Sequence, residues 1–249
     1  MTATSDKITK FEISTFEDYL TYVKEAEVRL LITNKDDIVI YRGQPVDKHL
    51  YPKLGREEYK VSNRLDFEKK LITEFNRLSC PHLEGRDYST WDVIAIAQHH
   101  NLPTRLLDWT SNPLIALWFA IFSEPKDAPK RVVWCYSFKH TEIVNPNLDH
   151  PYTQQKTLVY QPKHITKRIV SQNGWFTSHF YGEKTNIYTA LDLKIGTYRK
   201  LVKIELNIDE RNDKKSFLRD LDTYGINSYS IFPDLEGLCQ YLDWKVYKK

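Results

Sequence analysis

The amino-acid sequence predicts an α+β protein, a single domain with a mixed, mostly antiparallel β-sheet and flanking helices. Strand-like and helix-like segments follow one another along the 249 residues without the regular βαβ alternation that builds a parallel sheet. No repeat, low-complexity segment or linker rich in Pro, Gly or Ser divides the chain. A chain of this length can bury one sizeable core.

The first half of the chain shows four helical patterns and one strand pattern. Apolar residues recur at helical spacing over about residues 16–30 and 63–78. Ser89 begins a capping-box pattern, and Ser111-Asn112-Pro113 is typical of another helix start, with Ser or Asn as the cap. The helix that follows is apolar on all sides, which predicts a position in the middle of the domain. Asp36–Tyr41 is rich in β-branched residues and predicts a strand.

The second half begins and ends with assignable segments. Arg131–Phe138 and Lys200–Leu206 predict strands, and the aromatic, polar stretch between them has no clear pattern. A helix at about residues 216–224, a strand at Ile226–Phe232 and a helix from Pro233 complete the prediction.

Two parts of the chain are expected to play different roles in this domain. We expect residues 1–35 to form an N-terminal helical segment packed on the core. Residues 36–249 are expected to form the α+β domain itself.

Composition disfavours several classes of protein. The chain has only eight glycines, no two of them close together, so it lacks clustered-glycine phosphate loops and the nucleophile elbow. Rossmann dehydrogenases, P-loop NTPases and typical serine esterases are therefore disfavoured. The net charge of +3 is not the footprint of a dedicated nucleic-acid binder, and the basic stretch Lys163–Arg168 is interpreted as solvated surface.

Cysteine usage and hydropathy indicate a cytoplasmic protein. Cys80, Cys135 and Cys239 are far apart in the chain, which favours neither a disulfide framework nor a zinc site. The N-terminus shows no signal-peptide pattern, and the longest apolar run, Leu114–Phe122, is shorter than the roughly 20 residues that span a bilayer. We therefore expect a soluble chain in a reducing compartment, without a membrane partner.

The first polar segment that packing alone does not demand is Tyr41–Gln44, at the end of the first predicted strand. Arg42 could present its guanidinium to a phosphate or carboxylate, and Gly43 would allow a sharp turn or a close ligand approach. The alternative is a strand-end arginine that reaches solvent beside a plain turn glycine.

The second such segment is Gln98–Pro113, which lies between two apolar helices and is expected to form a hydrogen-bonded network. Arg105 and Asp108 could pair with each other, which is a structural role; the alternative is that they contact a ligand. His99 and His100 are adjacent and cannot grip one metal ion together, so no metal site is predicted.

The third segment is Ile231–Leu238, where a predicted strand meets a helix. Asp234 and Glu236 would oppose the helix dipole in the first turn, which is a purely structural role. Alternatively, one of the two carboxylates stabilises a cationic centre or takes a proton.

Together these segments resemble the FRG family, named after an aromatic-Arg-Gly motif. Tyr41–Gln44 matches its opening motif, Gln98–Pro113 its most specific stretch and Phe232–Leu238 its C-terminal motif. A middle motif matches around Gln172, and the matched motifs extend over about residues 36–242.

Two residues depart from the family pattern. Asn101 stands where the family generally has Gly; Asn tolerates the left-handed backbone well, so the turn is expected to survive. Glu236 stands where the family often has Asp, which keeps an acid but makes it one methylene longer.

The order of FRG motifs is similar to that of the arginine-type ADP-ribosyltransferases. This resemblance implies an ADP-ribosyltransferase-like core with NAD as co-substrate and no metal. Arg42 would anchor NAD, Thr110 or Ser111 would support the nicotinamide-ribose pocket, and Glu236 would be the catalytic acid, with Asp234 as the other candidate. Trp109 or Tyr41 could stack on nicotinamide. The cofactor-binding residues implied in this way are Tyr41, Arg42, Gly43, Gln44, Arg105, Asp108, Trp109, Thr110 and Ser111.

The leading hypothesis is an NAD-consuming enzyme that breaks the nicotinamide–ribose bond and transfers ADP-ribose to a macromolecular acceptor, a protein or a nucleic acid. Analogy alone suggests a bacterial toxin or an anti-phage defence effector. The alternative is a non-catalytic module that senses a nucleotide or a nucleic-acid end with the same pocket. A metal-dependent nuclease or phosphatase would need clustered acids and histidines that the sequence lacks.

Overall fold

A computed structural model describes residues 8–56, 58–83, 87–124, 130–163, 166–194, 196, 200–209 and 212–248. These residues form an α+β fold, as the sequence predicts. The strands are β1 (Thr9–Ile13), β2 (Ile38–Gln44), β3 (Leu106–Thr110), β4 (Arg131–Phe138), β5 (Leu158–Tyr160), β6 (Gly174–Ser178), β7 (Tyr181–Gly182), β8 (Ile187–Tyr188) and β9 (Leu201–Leu206). The helices are α1 (Phe16–Leu30), α2 (Arg64–Ser79), α3 (Thr90–His99), α4 (Pro113–Phe122), α5 (Lys167–Ser171), α6 (Asn212–Thr223), α7 (Ser228–Ile231) and α8 (Leu235–Asp243).

Local side-chain caps explain where the predicted helices begin. Thr15 and Asn63 accept hydrogen bonds from the first turns of α1 and α2. Ser89 and Asp92 form the expected capping box of α3. Asn112 caps α4, and Pro113 occupies its first turn. The predicted starts of these four helices are confirmed because each depends on residues close together in the chain.

One mixed, mostly antiparallel sheet organises the molecule. Its seven strands lie in the order β1-β9-β4-β2-β3-β6-β5, and only the pairing of β1 with β9 is parallel among the described strands. Strands β7 and β8 form a separate antiparallel pair. The sequence pattern did not predict β1, β3 or the short strands β5 to β8.

Helices cover one face of this sheet in two groups. α1, α4 and α6 pack in one apolar cluster with residues of β2, β4 and β9. α2 and α3 pack against β3, β5 and β6 in a second cluster. The central position predicted for the apolar helix α4 is confirmed, because six of its residues are buried. Buried side chains from loops, among them Leu50 and Leu191, pack on the opposite face.

Two local predictions are corrected by the structure. Ile226–Phe232 is not a strand: it contains α7, because Asn227 caps a short helix in a reciprocal capping box with Ser230. Arg42 does not lie at a strand end, because β2 continues to Gln44 through its pairing with β4. The N-terminal residues also contribute a strand as well as a helix, because β1 pairs with β9.

The described residues also bear on membrane insertion. Within them, no helix combines the length and the apolar character that crossing a membrane requires.

Candidate functional site

The sheet opens between its two central strands, β2 and β3. β2 pairs with β4 along all seven of its residues, but with β3 only at Tyr41 opposite Thr110. A cavity of about 360 Å³ opens where the two strands separate. We call it the β2–β3 cleft; side chains of α3, α4 and α5 complete its walls.

Arg42 crosses the opening between the two strands. Its Nη1 donates to the main-chain carbonyl oxygen of Asp108 at 2.6 Å and lies 3.7 Å from the Asp108 carboxylate. Its Nε is buried and has no hydrogen-bond partner among the described residues. Burial lowers the pKa of Arg42, Asp108 opposes this shift and Arg56 adds to it, but the guanidinium remains charged at neutral pH. The cleft therefore contains a largely buried cation, 15% exposed, with one unused donor.

Asp108 holds its carboxylate at the mouth of the cleft. Its side chain is 56% exposed, and both of its oxygens accept from Nε2 of Gln98 at 3.2 Å. Oε1 of Gln98 accepts from the Thr104 hydroxyl at 2.7 Å, and that hydroxyl oxygen accepts from the main-chain N–H of Leu106 at 3.0 Å. A chain of hydrogen bonds therefore orients this carboxylate.

His99 adds an uncharged imidazole to the wall. Burial lowers the pKa of His99 to about 4, and the positive charges of His100 and Arg168 contribute to the shift. Its ring nitrogens make no hydrogen bond with the described residues, so both are available to a ligand.

Arg168 of α5 forms the far wall. Its Nε and Nη2 donate to Asp234 Oδ2 at 3.0 and 2.6 Å, and its guanidinium lies 4.9 Å from the centre of the Phe232 ring. Asp234 also caps α8 by accepting from the Gly237 N–H at 2.9 Å. These contacts lower the pKa of Asp234, with the Gly237 hydrogen bond as the largest cause and Arg168 next.

The structure brings six of the predicted site residues to this cleft: Tyr41, Arg42, Gly43, Asp108, Trp109 and Thr110. The two aromatic members of this set are nearly inaccessible. Tyr41 is 2% exposed and donates to Glu27 of α1, and Trp109 is 4% exposed and donates to Thr177 at 3.0 Å. Neither offers an open ring face, so the predicted stacking role is not supported for either residue. The partly exposed rings of the cleft are Phe119 and Phe232.

Thr110 has a structural partner as well as its place in the cleft. Its Oγ1 accepts from the main-chain N–H of Asn112 at 3.1 Å, which fixes the turn into α4. Thr110 is 4% exposed, so it shapes the floor of the cleft.

Arg105 is not in the cleft. It is 1% exposed and pairs with Glu68 of α2, with Nη2 donating at 2.6 Å and Nε at 2.9 Å. Its predicted pairing with Asp108 is wrong, because the side chain turns to the α2 side of β3, where it also donates to the carbonyl oxygen of Pro151.

Three further predicted residues also lie outside the described lining. Gln44 is buried and accepts from Trp134 Nε1 at 3.1 Å. Ser111 is exposed, and its main-chain N–H donates to Asn173 at 3.1 Å. Glu236 is 73% exposed and stands behind Arg168, with its carboxylate 4.0 Å from Nη2.

One wall of the cleft was not predicted from the sequence. Arg168 was interpreted as part of a solvated basic stretch, and no pattern in the sequence marks it, because its position depends on α5 packing beside α7. Gln98 and His99 were noticed only as members of a polar network. Their place at the end of α3, next to a strand that was not predicted, is what brings them to the cleft.

A larger cavity, of about 950 Å³, lies elsewhere on the molecule. Its described lining includes Lys203 and Trp134 but none of the predicted site residues. Lys203 is already paired with Asp47 and Glu205. We therefore place the candidate site in the smaller β2–β3 cleft, where an unused cationic donor meets an oriented carboxylate.

The described residues offer no group of three or more His, Cys, Asp or Glu side chains that could hold a metal ion. The donors that the cleft does offer are guanidinium, amide and imidazole nitrogens, which suit an anionic or polar organic ligand.

Fold and site define this chain as an α+β protein with a ligand-sized cleft between two strands of its central sheet. A family model described as the FRG domain matches residues 37–129. This match supports the FRG family resemblance that the sequence motifs predicted. The match spans β2, α3 and β3, which carry Arg42, Gln98 and Asp108, while Arg168 lies beyond it. A search of curated proteins and a search of solved structures found no match.

Proposed function

We propose that the β2–β3 cleft binds NAD and that the protein is an NAD-consuming enzyme of the ADP-ribosyltransferase type. The observation that carries the proposal is the guanidinium of Arg42, which lies largely buried between two strands and whose Nε is unpartnered among the described residues. A buried cation with an unused donor favours an anionic ligand, and a guanidinium fork suits a phosphate oxygen pair.

Other features of the cleft support a nucleotide ligand. Its volume of about 360 Å³ lies within the range of small-molecule sites. Arg168 supplies a second guanidinium on the opposite wall, and Phe119 and Phe232 supply partly exposed aromatic rings. Phosphates and a flat base or nicotinamide ring need these two kinds of contact.

The reaction that we propose breaks the bond between nicotinamide and ribose and transfers ADP-ribose to an acceptor. A protein or nucleic-acid acceptor and a role in toxin action or anti-phage defence follow from the family resemblance, and they are part of this proposal. A cytoplasmic location is also part of it, and it follows from the cysteine usage and the N-terminal sequence.

The test has two measurements on the purified chain. Chromatography measures the release of nicotinamide from NAD, and calorimetry measures the binding of NAD. Arg42→Ala removes a charge-assisted contact worth about 1.5–3 kcal/mol, so we expect NAD affinity to fall by roughly 10- to 100-fold. Arg29→Ala is the matched control, because Arg29 is an exposed arginine of α1 away from the cleft. Unchanged affinity in Arg42→Ala, with the same thermal unfolding as wild type, contradicts the proposed role of Arg42.

A non-catalytic nucleotide sensor is the second candidate, and one observation favours it. Glu236, the acid that the family resemblance points to, is exposed and outside the described lining of the cleft. If wild-type protein binds NAD but releases no nicotinamide with water, peptide or oligonucleotide acceptors, the sensor is the correct function.

A further inference from the structure

The acids near the β2–β3 cleft are unequally available to a ligand. Asp108 is the only Asp or Glu in its described lining. Asp234 is engaged by the Arg168 guanidinium and by the N-terminus of α8. Glu236 points to solvent behind Arg168. A negative charge inside the cleft is therefore supplied by Asp108.

The hydrogen-bond chain behind Asp108 has a fixed direction. The Asp108 carboxylate can only accept, which leaves Oε1 of Gln98 to accept from the Thr104 hydroxyl; that hydroxyl oxygen accepts from the Leu106 N–H. Gln98 must then turn its NH₂ group toward Asp108, where it can only donate. Thr104 is fully buried, so water does not compete for its hydroxyl. The amide holds the carboxylate in place before a ligand arrives.

The carboxylate still has capacity for a ligand. A carboxylate offers about four acceptor positions, and the Gln98 amide uses only part of them. The side chain is 56% exposed at the mouth of the cleft, and the Arg42 guanidinium lies 3.7 Å away. A ligand whose phosphate binds Arg42 would therefore place the groups next to that phosphate near Asp108.

We propose that Asp108 is the catalytic carboxylate of this protein and that Gln98 is its positioning residue; this inference rests on the proposed cleavage of NAD. The bond between ribose C1′ and the nicotinamide nitrogen breaks, and its electron pair goes to that nitrogen, so nicotinamide leaves as a neutral molecule. Positive charge develops on the ribose ring, and Asp108 stabilises it electrostatically. The oxygen of water or of an acceptor hydroxyl then bonds to C1′, and its proton passes to Asp108 and on to solvent.

The Asp108→Asn variant tests the role of the negative charge, because asparagine has nearly the same shape as aspartate. The asparagine keeps the main-chain carbonyl that Arg42 binds, but it cannot carry the negative charge. We expect nicotinamide release to fall by about 100- to 1000-fold, the usual effect of losing one electrostatic stabiliser, while the NAD dissociation constant changes little. Asp36→Asn, at an exposed acid outside the cleft, is the matched control and should match wild type.

Two further variants separate chemistry from folding. Asp108→Glu keeps the charge but displaces it by one methylene, so it should release nicotinamide faster than Asp108→Asn; equal rates overturn the proposal. Gln98→Ala frees the carboxylate without removing it, so kcat should fall with KM nearly unchanged. A change in KM alone contradicts the positioning role of Gln98.

The outcomes distinguish the two proposals. If wild type releases nicotinamide and Asp108→Asn releases it as fast, the role of Asp108 is wrong and the NAD-consuming function stands. If Glu236→Gln abolishes release while Asp108→Asn does not, the catalytic acid lies on α8. If wild type binds NAD without any release, both the enzymatic function and the role of Asp108 fail.

Discussion

At the scale of single residues, Arg105 shows how a motif arginine can serve the fold rather than a ligand. Its guanidinium and the Glu68 carboxylate are both buried, at 1% and 0% side-chain exposure, and Tyr188 donates to the same carboxylate at 2.8 Å. Two charges taken out of water need each other, because either one alone would be an uncompensated buried charge. The pair ties α2 to β3 directly behind the cleft.

Glu68→Gln is expected to destabilise the fold strongly. Removing one partner of a buried ion pair costs about 3–5 kcal/mol, because the remaining charge stays buried. Denaturant unfolding measures the loss. Glu74→Gln is the control, because Glu74 forms a solvent-exposed pair with Arg77 and its loss should leave stability unchanged. Equal stability of the two variants would contradict the structural role of Arg105.

His179 gives the stability of the fold a pH dependence. It is fully buried, with Nε2 contacting Thr177 Oγ1 at 3.0 Å and Nδ1 contacting the Thr189 carbonyl oxygen at 2.8 Å. The carbonyl can only accept, so the neutral ring carries its hydrogen on Nδ1. Burial lowers the pKa of His179 to about 4, and the charge of Arg42 adds to the shift.

The free energy of unfolding should therefore increase as pH rises from about 4 to 6.5. In this window the unfolded chain binds a proton at His179 that the folded chain does not, which is worth on the order of 3 kcal/mol at about 1.4 kcal/mol per pKa unit. His99, with its pKa also near 4, acts in the same direction.

Urea unfolding at several pH values measures this dependence. His179→Gln should flatten it, while His140→Gln, at an exposed histidine, should leave it as in wild type. An identical slope in wild type and His179→Gln would show that His179 is not neutral in the folded state.

At the scale of elements, glycine sets how closely segments pack. The sequence left open whether Gly43 allows a turn or a close ligand approach, and the structure packs it against a helix: a Cβ there would lie 1.8 Å from the Ala116 carbonyl oxygen of α4. A Cβ at Gly237 would lie 2.0 Å from the Phe232 carbonyl oxygen. Both clashes involve main-chain atoms, which cannot move aside cheaply.

Gly43→Ala and Gly237→Ala should therefore lower the melting temperature markedly, since each forces two backbone segments apart. Gly174→Ala is the matched control within the same family motifs. Its new Cβ would meet its nearest neighbour at 3.4 Å, which is an ordinary contact, so it should melt close to wild type. If all three variants melt alike, close backbone packing is not why Gly43 and Gly237 are glycines.

At the scale of the whole molecule, the N-terminal residues are joined to the rest by the sheet. β1 extends the sheet edge along β9, and five residues of α1 are buried, including Phe16 and Tyr19. Tyr41 of β2 donates to Glu27 of α1, which connects this segment to the strand that carries Arg42.

Deleting residues 1–35 is expected to prevent cooperative folding. The truncated chain would expose the edge of β9 and the apolar face that α1 covers, both of which favour aggregation. Gel filtration and thermal unfolding compare it with the full chain. A soluble, cooperatively melting fragment of residues 36–249 would instead show that the N-terminal segment is only an accessory of the domain.

The structural features that could be predicted from the sequence are those that depend on residues close together in the chain. The sequence predicted the starts of α1 to α4, the capping box of α3, the burial of α4 and the strand Arg131–Phe138, because hydrophobic spacing and capping are local. It also predicted the left-handed turn at Asn101, which has a φ of 68°. It failed at Ile226–Phe232, where a short apolar run is compatible with strand or helix and a cap decides.

Only the tertiary structure decided how the site is built. Strands β2 and β3 separate after a single paired position, Arg105 pairs with Glu68, and Arg168 lines the same cleft as Arg42. Each of these features involves segments that are far apart in the chain. No local sequence pattern predicts such contacts, because they form only when helices and strands from distant parts of the chain pack together. The motifs pointed to the residues, and the sheet determined which of them line the β2–β3 cleft.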